Sequence, residues 1–180
     1  MDFHFRAATA SDIPAIRELI AAWVRVLQIE YTPEQRELAL ATVFTIDTQL
    51  IADGTYLLAF AEGGTLAGCG GWSKRKTLYG GDHQVEAIEP ELLDPATDAA
   101  KIRAIFIHPA FARQGLGSEI LARSENAAKA AGFRSFEMGS TLAGVPLYGL
   151  KGYRQVETIR VPVGAGEGIA VVRMVKDGSF

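Results

Sequence analysis

Apolar residues recur along the first third of the chain with two different periods. Residues 3–7 alternate as a half-buried strand does, and Ser11-Asp12 with Pro14 then supply a helix start. Ile13, Ile16, Ile20, Trp23, Val24 and Leu27 follow at helical spacing, a single stripe that reads as core. Thr32-Pro33-Glu34-Gln35 is a capping box with proline at the first helical position, predicting a second helix to about residue 48. Two apolar runs, 55–62 and 65–72, flank Gly63-Gly64 and predict a hairpin.

Periodicity is lost over 73–100, where Lys74, Arg75 and Lys76 give way to Gly80-Gly81, His83, Pro90 and Pro95. This is a long connection, either a binding loop or a solvated excursion. Beyond it come a strand over 102–107, a helix over 116–131 stopped by Gly132, and a strand over 133–138. A short helix over 145–151 ends at Gly152, and two strands, 155–163 and 169–176, close the chain as a hairpin. The order β-α-α-β-β-β-α-β-α-β-β predicts an α/β (α+β) fold, a mixed sheet flanked by helices, with a right-handed helical crossover between the fourth and fifth strands.

With 180 residues and 48% hydrophobic composition, the expectation is one domain over 1–180. A net charge of −3 argues against sequence-independent nucleic-acid binding, which needs clustered cations. Cys69, the single cysteine, lies in an apolar and glycine-rich run and reads as a buried, inert thiol. His4, His83 and His108 are scattered without metal-ligand spacing, so no metal is expected. The start of the chain has no positively flanked apolar stretch, and no window approaches a bilayer span; a soluble, cytoplasmic protein without membrane association is expected.

The stretch with the most chemical content is 103–121. A strand there leads through a basic loop into a helix that opens on Gly115-x-Gly117. Amides at a helix start lack intrahelical partners, and glycines let an anion approach them, so this is a phosphate cradle or simply a tight turn. Two other nucleotide motifs fail on spacing. A dinucleotide fingerprint needs glycine where Ile120 stands, and a Walker-type loop needs a lysine that Gly117-Ser118 lacks.

Element order and motif together resemble the GCN5-related N-acetyltransferase (GNAT) superfamily, over nearly the whole chain. The family's Arg/Gln-x-x-Gly-x-Gly/Ala run matches Ala112-Arg113-Gln114-Gly115-Leu116-Gly117, followed by Ser118; Ala112 departs from the usual first residue and Arg113 stands one place later. The resemblance implies a mostly antiparallel sheet of about seven strands with a splayed central pair forming the acyl-CoA cleft. It further implies that acetyl-CoA is the cosubstrate, with its pyrophosphate on those amides and its pantetheine arm on backbone groups of Phe106 and Ile107. A second family motif appears as Leu147-Tyr148-Gly149-Leu150-Lys151-Gly152-Tyr153, placing Tyr148 as the acid that protonates the departing thiolate. Thr141 stands where the family often has a coenzyme-contacting asparagine.

The implied activity is direct transfer of an acetyl group to an amine, with a non-catalytic acyl-CoA sensor or interaction module of the same fold as the alternative. Family habit suggests a homodimer. Strand 102–107 carries no carboxylate for a base, leaving water, Glu137, His83 or Asp82. Glu137 equally suits a solvated strand carboxylate, and His108 beside Pro109 reads as a strand-end residue.

Overall fold

The computed structural model describes residues 2–85 and 91–178. Its spine is a seven-stranded sheet in the order β1-β2-β3-β4-β5-β7-β6. The strands are β1 (His4–Ala7), β2 (Tyr56–Phe60), β3 (Leu66–Ser73), β4 (Ala100–Ile107), β5 (Ser135–Thr141), β6 (Arg154–Gly164) and β7 (Glu167–Asp177). The helices are α1 (Ile13–Leu27), α2 (Pro33–Ala41), α3 (Thr48–Ala52), α4 (Leu116–Ala130) and α5 (Val145–Leu150).

The first four strands pair antiparallel in the order they occur. β4 and β5 are parallel, as a helical crossover through α4 requires, and meet only at Ala100–Phe136 and Lys101–Glu137 before diverging. β5 then pairs with β7, which lies between it and β6. The splay between β4 and β5 opens a cleft in the middle of the sheet, as the resemblance implied.

Helices cover both faces. The α1 stripe, with Ile16, Ile20, Trp23 and Val24 buried, packs over Tyr56, Leu58, Cys69, Phe106 and Val171. On the other face Leu121 and Ala128 of α4 meet Ile102, Phe136 and Met174, while Leu116 and Ile120 cover Ala59 and Ala67.

The second helix is shorter than its periodicity predicts. The Thr32 cap forms as expected, with its side chain accepting from the Gln35 amide, but α2 stops at Ala41. Thr42 turns its hydroxyl back onto the Leu38 carbonyl, and Val43, Phe44 and Ile46 swing into the core. Burying this β-branched and aromatic run outweighs prolonging the helix. The chain restarts as α3, capped by the Asp47 carboxylate on the Gln49 amide. Nor is the base of the 73–100 connection loose: Lys76 donates its amide to Glu91, Leu93 donates to Lys74, and Arg75 bridges to Leu92.

β4 carries a bulge. Cys69 faces Phe106 and Gly71 faces Arg103, so Gly70 alone opposes both Ala104 and Ile105. Ala104 adopts φ 54°, a left-handed conformation uncommon for a residue with a Cβ. The extra residue shifts the alternation: Ile102 and Ile105 pack toward α4, whereas Ala104 and Phe106 pack toward α1.

Candidate active site

Beyond β4 the chain turns through His108, whose Nδ1 accepts from the Ala110 amide, and reaches α4 by a loop with two left-handed residues, Arg113 at φ 62° and Gly115 at φ 85°. His108, read from the sequence as a strand-end residue, directly follows β4 and caps the turn. Ala112 donates its amide to Pro109 and Glu119 donates to Gly115. Among the described residues, the six amides in between, 113–118, find no acceptor in the protein. Unpaired N–H groups at the positive end of a helix dipole suit an anion without a side-chain carrier. Arg113 and Gln114 are exposed beside it. The residues therefore fit a pyrophosphate.

This loop reaches the central cleft. The Cβ position of Gly117 lies 3.4 Å from Leu147 of α5 and 3.8 Å from Ile107 at the end of β4. The two motifs, about thirty residues apart in sequence, are brought together. Between β4 and β5 is a cavity of about 80 Å³. Trp23, Phe44, Tyr79, Phe106 and Val171 line one side, and Ile105, Met138 and Tyr148 the other, with Thr141 at its edge. Trp23 meets Phe106 edge-on at 4.7 Å and Phe44 at 5.2 Å, fixing an aromatic wall.

Tyr148 is half-buried in this cleft, and its hydroxyl makes no hydrogen bond to another described residue. Burial pushes its phenol up to about 12. Tyr153 supports its ring edge-on at 6.1 Å and is itself anchored by donating to Glu125 of α4 at 2.8 Å. Gly144 completes the fit, since a Cβ there would stand 2.8 Å from the Tyr148 ring and 2.7 Å from the Ser140 hydroxyl.

Three other titratable residues sit elsewhere. Glu137 lies on β5 between Lys101 and Arg173, hydrogen-bonded to both. Burial alone would raise its pKa, but the two cations hold it below the usual carboxylate range. It is buried and doubly paired, where the sequence left open a solvated carboxylate. His83 is exposed at a separate cavity between α1 and α2, with Arg17 and Phe44 in its lining. Asp82 accepts from the Thr48 amide and secures the start of α3. Neither Glu137 nor His83 is among the residues that line the cleft holding Tyr148.

Two buried groups near the cleft escaped sequence reasoning. Arg103, 4% exposed, donates to Asp47 at 2.7 Å and to the carbonyls of Thr77 and Gly80 at 3.0 and 2.6 Å. Burial pulls its pKa down against the opposing pull of Asp47. Its three bonds fix the wall that presents Tyr79 and Gly80. A charge inside an otherwise apolar strand was the available signal. Tyr31 has its hydroxyl between the Ala170 carbonyl, to which it donates at 2.8 Å, and the Leu142 amide, from which it accepts at 3.2 Å. No local pattern marks it. Among the described residues, no cluster of His, Cys, Asp and Glu can hold a metal ion, and no helix is long and apolar enough to cross a membrane.

The family model described as "Acetyltransferase (GNAT) family" matches residues 18–151. No curated protein matches the sequence. Among solved structures, a GCN5-related N-acetyltransferase from Rhodopseudomonas palustris aligns at 17% identity and TM-score 0.70, covering 98% of this chain and 96% of its own. PaiA N-acetyltransferase from Thermoplasma acidophilum, in complex with coenzyme A, aligns at 14% and 0.65 over 98% and 99%. YncA from Salmonella typhimurium, with its cofactor acetyl-CoA, aligns at 18% and 0.63 over 100% and 96%. At these identities the likeness establishes the fold.

Proposed function

The chain belongs to the acetyltransferase (GNAT) family, and from that premise we propose that it moves an acetyl group from acetyl-CoA directly to an amine acceptor. The observation that carries this reading is the meeting, across Gly117, of a six-amide anion cradle with a cleft into which one unbonded phenol projects. An acyl thioester of a pyrophosphate-bearing carrier is the ligand class that uses both parts.

In this reading the amides of 113–118 hold the pyrophosphate, with Arg113 adding charge beside them. Past Lys101 the β4 edge is no longer paired to β5, so backbone groups of Phe106 and Ile107 serve the pantetheine arm. Thr141 contributes from the end of β5. The backbone of β4 from the bulge toward Ile107 borders the cleft, and in this reading its N–H groups polarise the thioester carbonyl, an oxyanion-type contact. The acceptor enters from the Trp23, Phe44 and Tyr79 side as a neutral amine, and its proton passes to water in the cleft mouth. Tyr148 donates its proton to the departing sulfur and regains one from water at the cleft mouth; a phenol raised to about 12 is protonated throughout the neutral range before each turnover. Cys69 does not suit a covalent acyl carrier, because it is buried, bonded to Tyr56, and pushed up to about 12 by burial.

A panel of amine acceptors assayed for coenzyme A thiol release tests the proposal. Release should depend on acceptor, and acetyl-CoA at a hundredfold excess over its Kd should stabilise the fold by about 2.7 kcal/mol while NAD does nothing. Saturable stabilisation without thiol release for any amine would replace catalysis by a sensor role.

A further inference from the structure

The bulge in β4 is held by side chains as well as by ladder bonds. Tyr56 opens β2 and is 2% exposed; Cys69 in β3 is fully buried. The Tyr56 hydroxyl lies 3.2 Å from the Cys69 sulfur and 3.2 Å from the Ala104 carbonyl. Cys69 faces Phe106 across the ladder. A phenol has one proton and a carbonyl only accepts, so that proton serves Ala104 and the thiol proton completes the contact toward the phenol oxygen. The result is a short relay: Cys69 thiol to Tyr56 oxygen, Tyr56 hydroxyl to Ala104 carbonyl. It joins the Ala104 carbonyl of the bulge to the β3 residue that faces Phe106.

Such a tie answers a definite need. Ala104 stands at φ 54°, which a residue with a Cβ keeps only when its surroundings hold it there. A bulge also leaves its extra residue without a ladder partner. The side chains supply what the ladder does not, and Arg103 fixes the preceding residue through Asp47, Thr77 and Gly80. Ala104, Ile105 and Phe106 all line the cleft.

We propose that Tyr56 and Cys69 are positioning residues that lock the β4 bulge, and with it the backbone facing the acetyl group, in the geometry that transfer requires. The catalytic consequence rests on the acetyl-transfer reading; the lock itself does not. Tyr56→Phe deletes one hydroxyl from the relay, Cys69→Ala removes its thiol, and Cys69→Ser keeps both a donor and an acceptor. Leu58→Val, in the same strand and core but outside the relay, controls for general loosening.

Four quantities are read for each variant: turnover, acetyl-CoA affinity by titration, thermal midpoint, and hydrogen exchange of the 104–106 amides by NMR. Tyr56→Phe and Cys69→Ala should lower kcat by about tenfold or more, because misplacing a reacting group by a fraction of an ångström is enough for that, with acetyl-CoA affinity kept within about twofold. Their 105 and 106 amides should exchange about tenfold faster than in the wild type, and Cys69→Ser should restore both properties. Wild-type kcat in Tyr56→Phe, or a kcat loss no greater than Leu58→Val shows at equal thermal destabilisation, overturns the catalytic role. Should Tyr56→Phe fail to fold, the contrast between Cys69→Ala and Cys69→Ser decides. If the wild type turns over no amine, the acetyl-transfer reading falls, and unchanged exchange in the variants then overturns the lock on its own.

Discussion

A single hydroxyl separates a packing tyrosine from a catalytic one. The Tyr148 ring is wedged by Gly144 and Tyr153, and those contacts survive its replacement by phenylalanine. Tyr148→Phe should therefore leave acetyl-CoA affinity unchanged and lower turnover by about a hundredfold or more, the usual cost of losing one positioned acid. Wild-type turnover would reduce Tyr148 to packing. Because burial holds the phenol near about 12, the wild-type rate should show no alkaline loss at pH 10, where an ordinary tyrosine would already be half ionised. Glu137 gives the opposite pattern. Glu137→Gln removes the charge that pairs Lys101 and Arg173, leaving a mostly buried ammonium without a counterion. Breaking such a pair costs about 3–5 kcal/mol, so the thermal midpoint should fall while kcat in the folded fraction holds. A kcat collapse with normal stability would assign Glu137 as the base.

At the scale of elements, the junction between β4 and α4 gives the sharpest test of coenzyme binding. A Cβ at Gly117 meets nothing closer than the flexible end of Leu147 at 3.4 Å, so Gly117→Val adds bulk at the opening of α4 without a backbone clash. Acetyl-CoA should then produce no thermal shift, as the space next to the amides is filled. A preserved shift would relocate the pyrophosphate. This junction was legible in the sequence because its chemistry is local: glycines, a helix start and a preceding strand lie within some fifteen residues of one another. The capping box, the Gly63-Gly64 hairpin and the closing hairpin were readable for the same reason. The early end of α2 was not, since it is set by core that Val43, Phe44 and Ile46 find only after folding. The bulge at Ala104 was hidden too. Nothing in Ile102-Arg103-Ala104-Ile105 marks an inserted residue, and the groups that hold it lie far away in sequence: Tyr56 is 48 residues from Ala104, and Asp47 is 56 from Arg103.

At the scale of the whole molecule, several contacts that join separate elements run through protonated acids. Tyr31, in the link between α1 and α2, donates to β7 and accepts from the turn after β5, so it ties one helical layer to the far half of the sheet. Burial pushes its phenol up to about 12, the Cys69 thiol likewise to about 12, and Tyr56 well above its ordinary value. In the unfolded chain these groups ionise near their ordinary values of about 8.5 for a thiol and about 10 for a phenol. Above those values the unfolded state has lost protons that the native state still holds. The slope of unfolding free energy with pH is then negative. This stabilisation is complete below about pH 8.5 and is lost as pH rises toward about 12, through the raised native values. Urea unfolding followed from pH 7 to pH 11 should show a steady midpoint up to about pH 8.5 and a decline above it. Phenolate absorbance should show part of the tyrosine complement appearing only with unfolding. Titration of every tyrosine near pH 10 in a protein still fully folded would mean that Tyr31 and Tyr56 are open to solvent, and that the ties between the two halves of the sheet are made by packing alone.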